Sequence, residues 1–265
     1  MTRVTFFLDS AGRVTESTAG HEWLTVAGLA IHTSDVEAVC RTLPTGTRKW
    51  SESSISEACA TIDFTLEQAV AVIVLQLYKK QPMWREFWRD GANYHHQMSS
   101  KERSRVGFVK PATVIRYAAF GDCSGPLLAE CLKREGPAIL DSQGRSIIEL
   151  AVILDTDIQG DENQDTFKFL WETYAAKSGL LRNLNVGLVL DKVEFRTEQQ
   201  HPLLLLPDHI AGCLQCEVGV PDSELPAALD RDTVTTLAKR LRSSSQVSVL
   251  RREFDLIYKQ IFGDL

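Results

Sequence analysis

The chain has 265 residues, 44% hydrophobic and 24% charged, with a formal net charge of −6, which is length for one large domain or for one domain plus an appendage. That composition excludes long disordered stretches, and the acidic balance argues against a surface that binds nucleic acid all over, because phosphate contacts need concentrated Lys and Arg. The apolar run at residues 4–8 is too short for a signal-peptide core and the run at 69–75 cannot span a bilayer, so a cytoplasmic location is the expectation.

In chain order, residues 4–9 and 23–31 read as two strands joined through the Gly12-Arg13 turn, most simply a hairpin. Ser34, with Glu37 three residues on, reads as the cap of a helix over 36–43 that Pro44 and Gly46 stop. Residues 68–78 fit either a buried strand or a helix, and Val70, Val72, Ile73 and Val74 tilt the reading to strand. Trp84, Phe87 and Trp88 have the spacing of an apolar helix face; the alternative is a set of aromatics, interleaved with Arg, that stack single-stranded bases. His95 and His96 are adjacent, point apart on any regular element, and make a poor chelating pair.

Lys101, Arg103, Arg105, Lys110 and Arg116 form one basic patch, and Lys239, Arg240, Arg242, Arg251 and Arg252 another; each reads first as a solvated helix face. Residues 111–120 and 127–134 read as helices, 141–144 as a turn and 147–154 as a strand. The acidic loop beginning at Asp155 is no EF-hand, because Ile158-Gln159-Gly160 breaks the ligand spacing. A helix over 167–176 and a strand over 187–195 follow, with Asp191 marking an edge or hairpin position in preference to a fourth acidic ligand. Residues 225–229, 234–241 and 247–261 read as C-terminal helices, and the stripe Val247, Leu250, Phe254, Ile257, Tyr258 and Ile261 suits docking on the domain or on a second copy, giving a homo-oligomer. The scattered cysteines read as free thiols, and Cys213 and Cys216, the one C-x-x-C, as small buried helix residues in preference to a zinc or redox site.

Three aspartates stand where an apolar run gives way to a turn or helix: Asp9 after 4–8, Asp155 after 147–154, and Asp208 after Leu203-Leu204-Leu205-Leu206-Pro207. A carboxylate at the mouth of a buried strand is held by the core while its oxygens face solvent, which suits a hard divalent cation. The bland alternative is that such aspartates cap helices or hydrogen-bond loops.

The segments Phe7-Leu8-Asp9-Ser10-Ala11-Gly12, Arg48-Lys49-Trp50-Ser51-Glu52, Ala151-Val152-Ile153-Leu154-Asp155 and Leu205-Leu206-Pro207-Asp208-His209-Ile210-Ala211-Gly212, with residues 23–30, resemble the bacterial domain-of-unknown-function 3800 family over residues 4–217. The resemblance implies an α/β fold of the ribonuclease H type, a mixed β-sheet flanked by helices in a domain over 1–217; the residues themselves add a helical insertion at about 83–135, which the resemblance does not account for, and a C-terminal helical appendage over 218–265. The resemblance also implies Asp9 on the first strand, Asp155 on the central parallel strand and Asp208 on the final helix. Two departures stand out. Ser10 replaces the family's Glu and cannot supply a second anionic ligand, and Pro207-Asp208-His209 replaces Ala-Asp-Leu, although Pro suits a first helical turn.

Carboxylates brought together repel one another unless a cation bridges them, so Mg²⁺ or Mn²⁺ is the implied cofactor, with Asp9, Asp155, Asp157 and Asp208 as ligands. The leading reading is a metal-dependent phosphodiesterase acting on nucleic acid, in which Lys49 neutralises phosphate charge and Glu52 or Asp157 replaces the missing second acid. The alternatives are a non-catalytic binding or assembly module on the same fold, and hydrolysis of a small phosphorylated molecule.

Overall fold

Alternation along the first strand decides the architecture. In β1 (Thr2–Ala11), Val4, Phe6 and Leu8 turn to one face of a sheet and Phe7 to the other, and all four are fully buried. A strand apolar on both faces needs a layer on each side. The computed structural model, described for residues 2–15, 21–79, 83–91, 111–135, 146–155 and 186–254, supplies both.

β1 pairs antiparallel with β2 (Trp23–His32), which pairs antiparallel with β3 (Ala71–Tyr78), so the expected hairpin holds and the strand reading of 68–78 holds from Ala71 on, Gln68 closing a helix instead. On the other side β1 pairs in parallel with β4 (Ser146–Asp155), and β4 with β5 (Val186–Arg196). A last strand, β6 (Val247–Glu253), lies parallel to β3 and completes the order β5-β4-β1-β2-β3-β6. A central first strand, an antiparallel meander on one side and two parallel strands on the other make this a ribonuclease H-like α/β fold.

Between strands lie α1 (Val36–Thr42), α2 (Ile55–Gln68), α3 (Met83–Gly91), α4 (Pro111–Glu135), α5 (Leu205–Gly219) and α6 (Arg231–Ser243). Helices α3 and α4 cover the face that carries Phe6 and Leu8; α2, α5 and α6 cover the face that carries Phe7. Gly28 lets α4 come close, because a Cβ there would meet Leu8 Cδ2 at 2.6 Å and Cys123 Sγ at 3.1 Å. Cys213 and Cys216 are free, buried residues of α5, as expected.

The structure corrects several sequence expectations. Ser34 does not cap α1: its hydroxyl donates to Asp35, and Asp35 stands at the N-cap without a capping bond. Helix α2, unanticipated, has the true capping box, in which the Glu57 amide donates to Ser54 and the Ser54 amide to Glu57. Residues 111–134 form one helix through Pro126 instead of two. The apolar run before Asp208 is a 3₁₀ turn over Pro202–Leu204 followed directly by the first residues of α5, not a strand. Residues 222–224 form a 3₁₀ turn, and 225–229 hold no helix.

The expected terminal helix is strand β6 over 247–253, because the chain there pairs with β3. The C-terminal segment therefore adds a strand to the sheet as well as α6. Trp84 and Phe87 are fully buried, which rules them out as base-stacking platforms. Asp191 is exposed at the β4–β5 register shift on an edge strand, as expected. Asp157, His95, His96, the helix at 167–176, most of the 101–116 basic patch and the stripe beyond Phe254 lie outside the described residues.

Candidate active site

The parallel pairing puts the C-terminal ends of β1 and β4 at one edge of the sheet. Their register runs to Leu8 opposite Leu154, so Asp9 and Asp155 come next on adjacent strands. Phe7 and Ile153, two residues earlier, face α5, and alternation turns both aspartates to that side. Helix α5 starts at the same edge, with Asp208 in its first turn near the positive end of the helix dipole. Ser10 alternates away from Asp9, so its being serine removes no oxygen from the α5 side.

The three aspartates lie near enough for charge to act between them. Asp9 is 7% exposed, and its carboxyl is held well above the usual range, first by burial and then by the charges of Asp208 and Asp155, with the Ser10 amide opposing. Asp208 is pushed up to about 6, again first by burial; the Trp50 amide, donating at 2.6 Å to Oδ2, and the Lys49 charge oppose the rise, while Glu198 and Asp155 add to it. Asp9 and Asp208 each give one oxygen to a backbone amide.

Glu198 is the acid that sequence reasoning missed. It lies in the turn after β5, its side chain is 11% exposed, and its charge acts on both Asp9 and Asp208. The signal was present, since it stands just past the strand parallel to β4, and the strand-mouth criterion applied to Asp155 reaches it too. Glu198 pairs with Lys49, and that bond raises the lysine above its ordinary value. Glu52, expected to stand in for a second acid, is exposed and does not figure among the main charges acting on Asp9 or Asp208.

The Lys49 segment is bolted to α5. Gly212 has no Cβ because one would fall 2.3 Å from Trp50 Cδ1 and 2.9 Å from Trp50 Cβ; the indole lies in that notch, 5% exposed. One turn earlier, fully buried His209 has Nδ1 2.8 Å from the Leu205 carbonyl and Nε2 2.9 Å from the Ser53 hydroxyl. Burial pushes His209 down to about 4, so it is neutral. A carbonyl only accepts, so Nδ1 carries the proton and Nε2 accepts from Ser53. The Ser53 hydroxyl also lies 2.9 Å from the Lys49 carbonyl and, with one hydrogen, serves one partner at a time. These contacts explain why the Lys49-Trp50-Ser51 and Asp208-His209-Ile210-Ala211-Gly212 motifs occur together.

Four hard carboxylates, two of them rigidly placed, are the donor chemistry that Mg²⁺ or Mn²⁺ takes. Their spacing is that of coupled charges and not of a closed cage: among the described residues, no three His, Cys, Asp or Glu side chains stand close enough to hold a metal ion. No helix among the described residues is long and apolar enough to cross a membrane.

No protein-family model and no curated protein matches the chain. Among solved structures it is similar to ribonuclease H2 from Pyrococcus horikoshii OT3, at 10% identity over 91% of this chain and 99% of that one, with a TM-score of 0.42. It is also similar to Bst-RNase HIII in complex with Mn2+, at 12% identity over 90% of this chain and 71% of that one, with a TM-score of 0.34.

Proposed function

We propose that the chain is a metal-dependent phosphodiesterase acting on nucleic acid, and that it belongs with the domain-of-unknown-function 3800 proteins its motifs resemble. The observation that carries this reading is that Asp9 and Asp208, with Asp155, Glu198 and Lys49 acting on them at the sheet edge, are both raised, first by burial and then by neighbouring acidic charge. A site that destabilises its own charges is a functional candidate, and a cation is what relieves this one.

Asp9, Asp155 and Asp208, with Glu198 as the fourth acid, would have to draw together around the ion, because no three of them stand close enough to hold it as they are placed. When bound, Mg²⁺ or Mn²⁺ supplies Lewis-acid polarisation of a phosphate oxygen and lowers the pKa of a bound water. The chain's own residues do the rest. Asp9 and Asp208 are each held by a backbone amide, which orients their carboxylates. Lys49, on a segment locked to α5, can exchange its bond to Glu198 for a phosphate oxygen, which neutralises substrate charge and frees Glu198 in one movement. The net charge of −6 favours a short or single-stranded substrate held locally over a long duplex gripped along its backbone.

Calorimetric titration of Mn²⁺ into wild type and Asp9→Asn tests the site, and oligonucleotide cleavage by Asp9→Asn and Asp208→Asn tests the chemistry. Saturable binding and cleavage, both lost in the variants, are expected; cleavage that survives both substitutions ends the assignment. A second reading, a non-catalytic module on the same fold, is favoured by one observation: Asp9, driven toward its protonated form, needs no ion to be stable. It predicts no Mn²⁺ binding in either protein.

A further inference from the structure

Against Trp50 and the later turns of α5 lies a cavity of about 490 Å³, within the size range of small-molecule sites, roughly 300–1,000 Å³. It shares residues with the site: Trp50, whose amide binds Asp208, lines it with Ser51, and Gly12, three residues beyond Asp9, forms another wall. Gly12 adopts φ 107°, and a Cβ there would strike the Trp23 carbonyl at 2.9 Å, so the chain turns at the cavity wall where only glycine fits.

The lining selects a chemistry. Cys216, Val220, Leu225 and Pro226 make one side apolar. The charged rim is self-neutralised, because Arg13 and Glu224 stand 3.7 Å apart. A second phosphate would meet Glu224 as well as Arg13, so the cavity suits a neutral, flat, partly polar group. In the wall, Trp50 Nε1 is buried without a hydrogen-bond partner; its polar contact is the Cys216 sulfur, a weak acceptor that does not complete the bond.

We infer that this cavity is a nucleobase subsite, seating one base of the substrate while its phosphate lies at the carboxylates. The inference rests on the phosphodiesterase reading for the position of the phosphate, but base binding itself needs neither metal nor cleavage. Ala227, exposed on the cavity rim, provides the clean variant, since Ala227→Trp fills the mouth without touching the core.

The test is ligand-detected NMR titration of the full chain with adenosine, guanosine, cytidine and uridine singly, and with ribose 5-phosphate as the base-free control. At least one nucleoside is expected to bind with its base protons in closest contact, at least ten-fold more weakly to Ala227→Trp and several-fold more weakly to Trp50→Phe, while ribose 5-phosphate is indifferent to Ala227→Trp. Absence of nucleoside binding, or equal affinity in wild type and Ala227→Trp, overturns the subsite. Mn²⁺-dependent cleavage is scored separately: cleavage without nucleoside binding overturns the subsite alone, and nucleoside binding without cleavage upholds it while overturning the phosphodiesterase reading.

Discussion

The two faces of the sheet are built from the same strands and do different work. Toward α4, β1, β3 and β4 present Val4, Phe6, Leu8, Ile73, Leu75, Val152 and Leu154, an apolar layer closed by Val114, Ile115, Ala118 and Leu127. Toward α5 the same strands present Thr5, Asp9 and Gln76, and β2 adds Thr25, against a helix that carries Asp208, His209 and Gln215. Those polar groups are satisfied pairwise across the layer: Thr25 donates to Gln215, Gln76 to the Leu214 carbonyl, and Gln215 to the Trp23 carbonyl. One face is bound by burial, which tolerates substitution at constant volume; the other adds directional bonds, which fix positions, to an apolar core of its own around Phe7, Val72, Val74, Ile210 and Leu214. The site lies on the second, where a carboxylate can be held to the tolerance that chemistry requires.

The sharpest way to break this comparison uses neighbouring residues. Phe6→Ala and Phe7→Ala each remove a fully buried ring and should each cost about 3–5 kcal/mol in chemical denaturation. Only Phe7→Ala should lower cleavage per folded molecule, because Phe7 lies two residues before Asp9 on the α5 face, its ring 4.9 Å from that of His201 near the Glu198 turn. Equal activity in the two variants would show that the faces are not functionally distinct.

A smaller effect separates the two close-packed glycines. Gly212→Ala pushes a methyl into Trp50 and should cost about 3 kcal/mol while displacing Lys49 and the Asp208 contact, so cleavage falls with stability. Gly28→Ala meets the end of the flexible Leu8 side chain, should cost about 1 kcal/mol, and should leave turnover intact. Thermal melts and single-turnover rates of the pair would sort packing from positioning.

How much of this the sequence discloses follows the same division. Apolar alternation and β-branched runs placed the strands of both faces, and the strand-mouth criterion placed Asp9 and Asp155. Asp208 was found by a motif that reads as a leucine run but folds as a 3₁₀ turn and helix, because its amides and carbonyls are satisfied locally. Strand β6 was not legible: Val247, Leu250 and Phe254 have helical spacing, and only a non-local partner, β3, makes the segment a strand. The serine-to-glutamate spacing misleads at Ser34 and holds at Ser54, since a hydroxyl next to an aspartate finds a nearer partner. Glu198 was legible only through the strand-mouth criterion applied to β5, because its Thr-Glu-Gln-Gln stretch has no periodicity to mark it.

The subtlest prediction concerns charge. Asp208 ionises in the fold only near pH 6, and Asp9 is likewise raised above its unfolded value. A group whose folded pKa is raised contributes stability that is complete below the unfolded pKa, about 4 for a carboxyl, and is lost as pH rises through the folded value. The metal-free protein should therefore weaken between about pH 4 and pH 6 through Asp208, with Asp9 acting in the same direction. Asp208→Asn keeps an oxygen for the Trp50 amide and removes the charge, so at pH 7.5 it should stabilise the metal-free protein by on the order of 2 kcal/mol and at pH 4 by close to nothing. Mn²⁺ should reverse the order at pH 7.5, because it binds and stabilises only the protein that keeps its carboxylates. Urea midpoints at both pH values, with and without Mn²⁺, give the comparison. An Asn variant less stable at pH 7.5 without metal would mean that the carboxylates are held by attractive contacts, and the case for a cation at this edge of the sheet would lose its electrostatic basis.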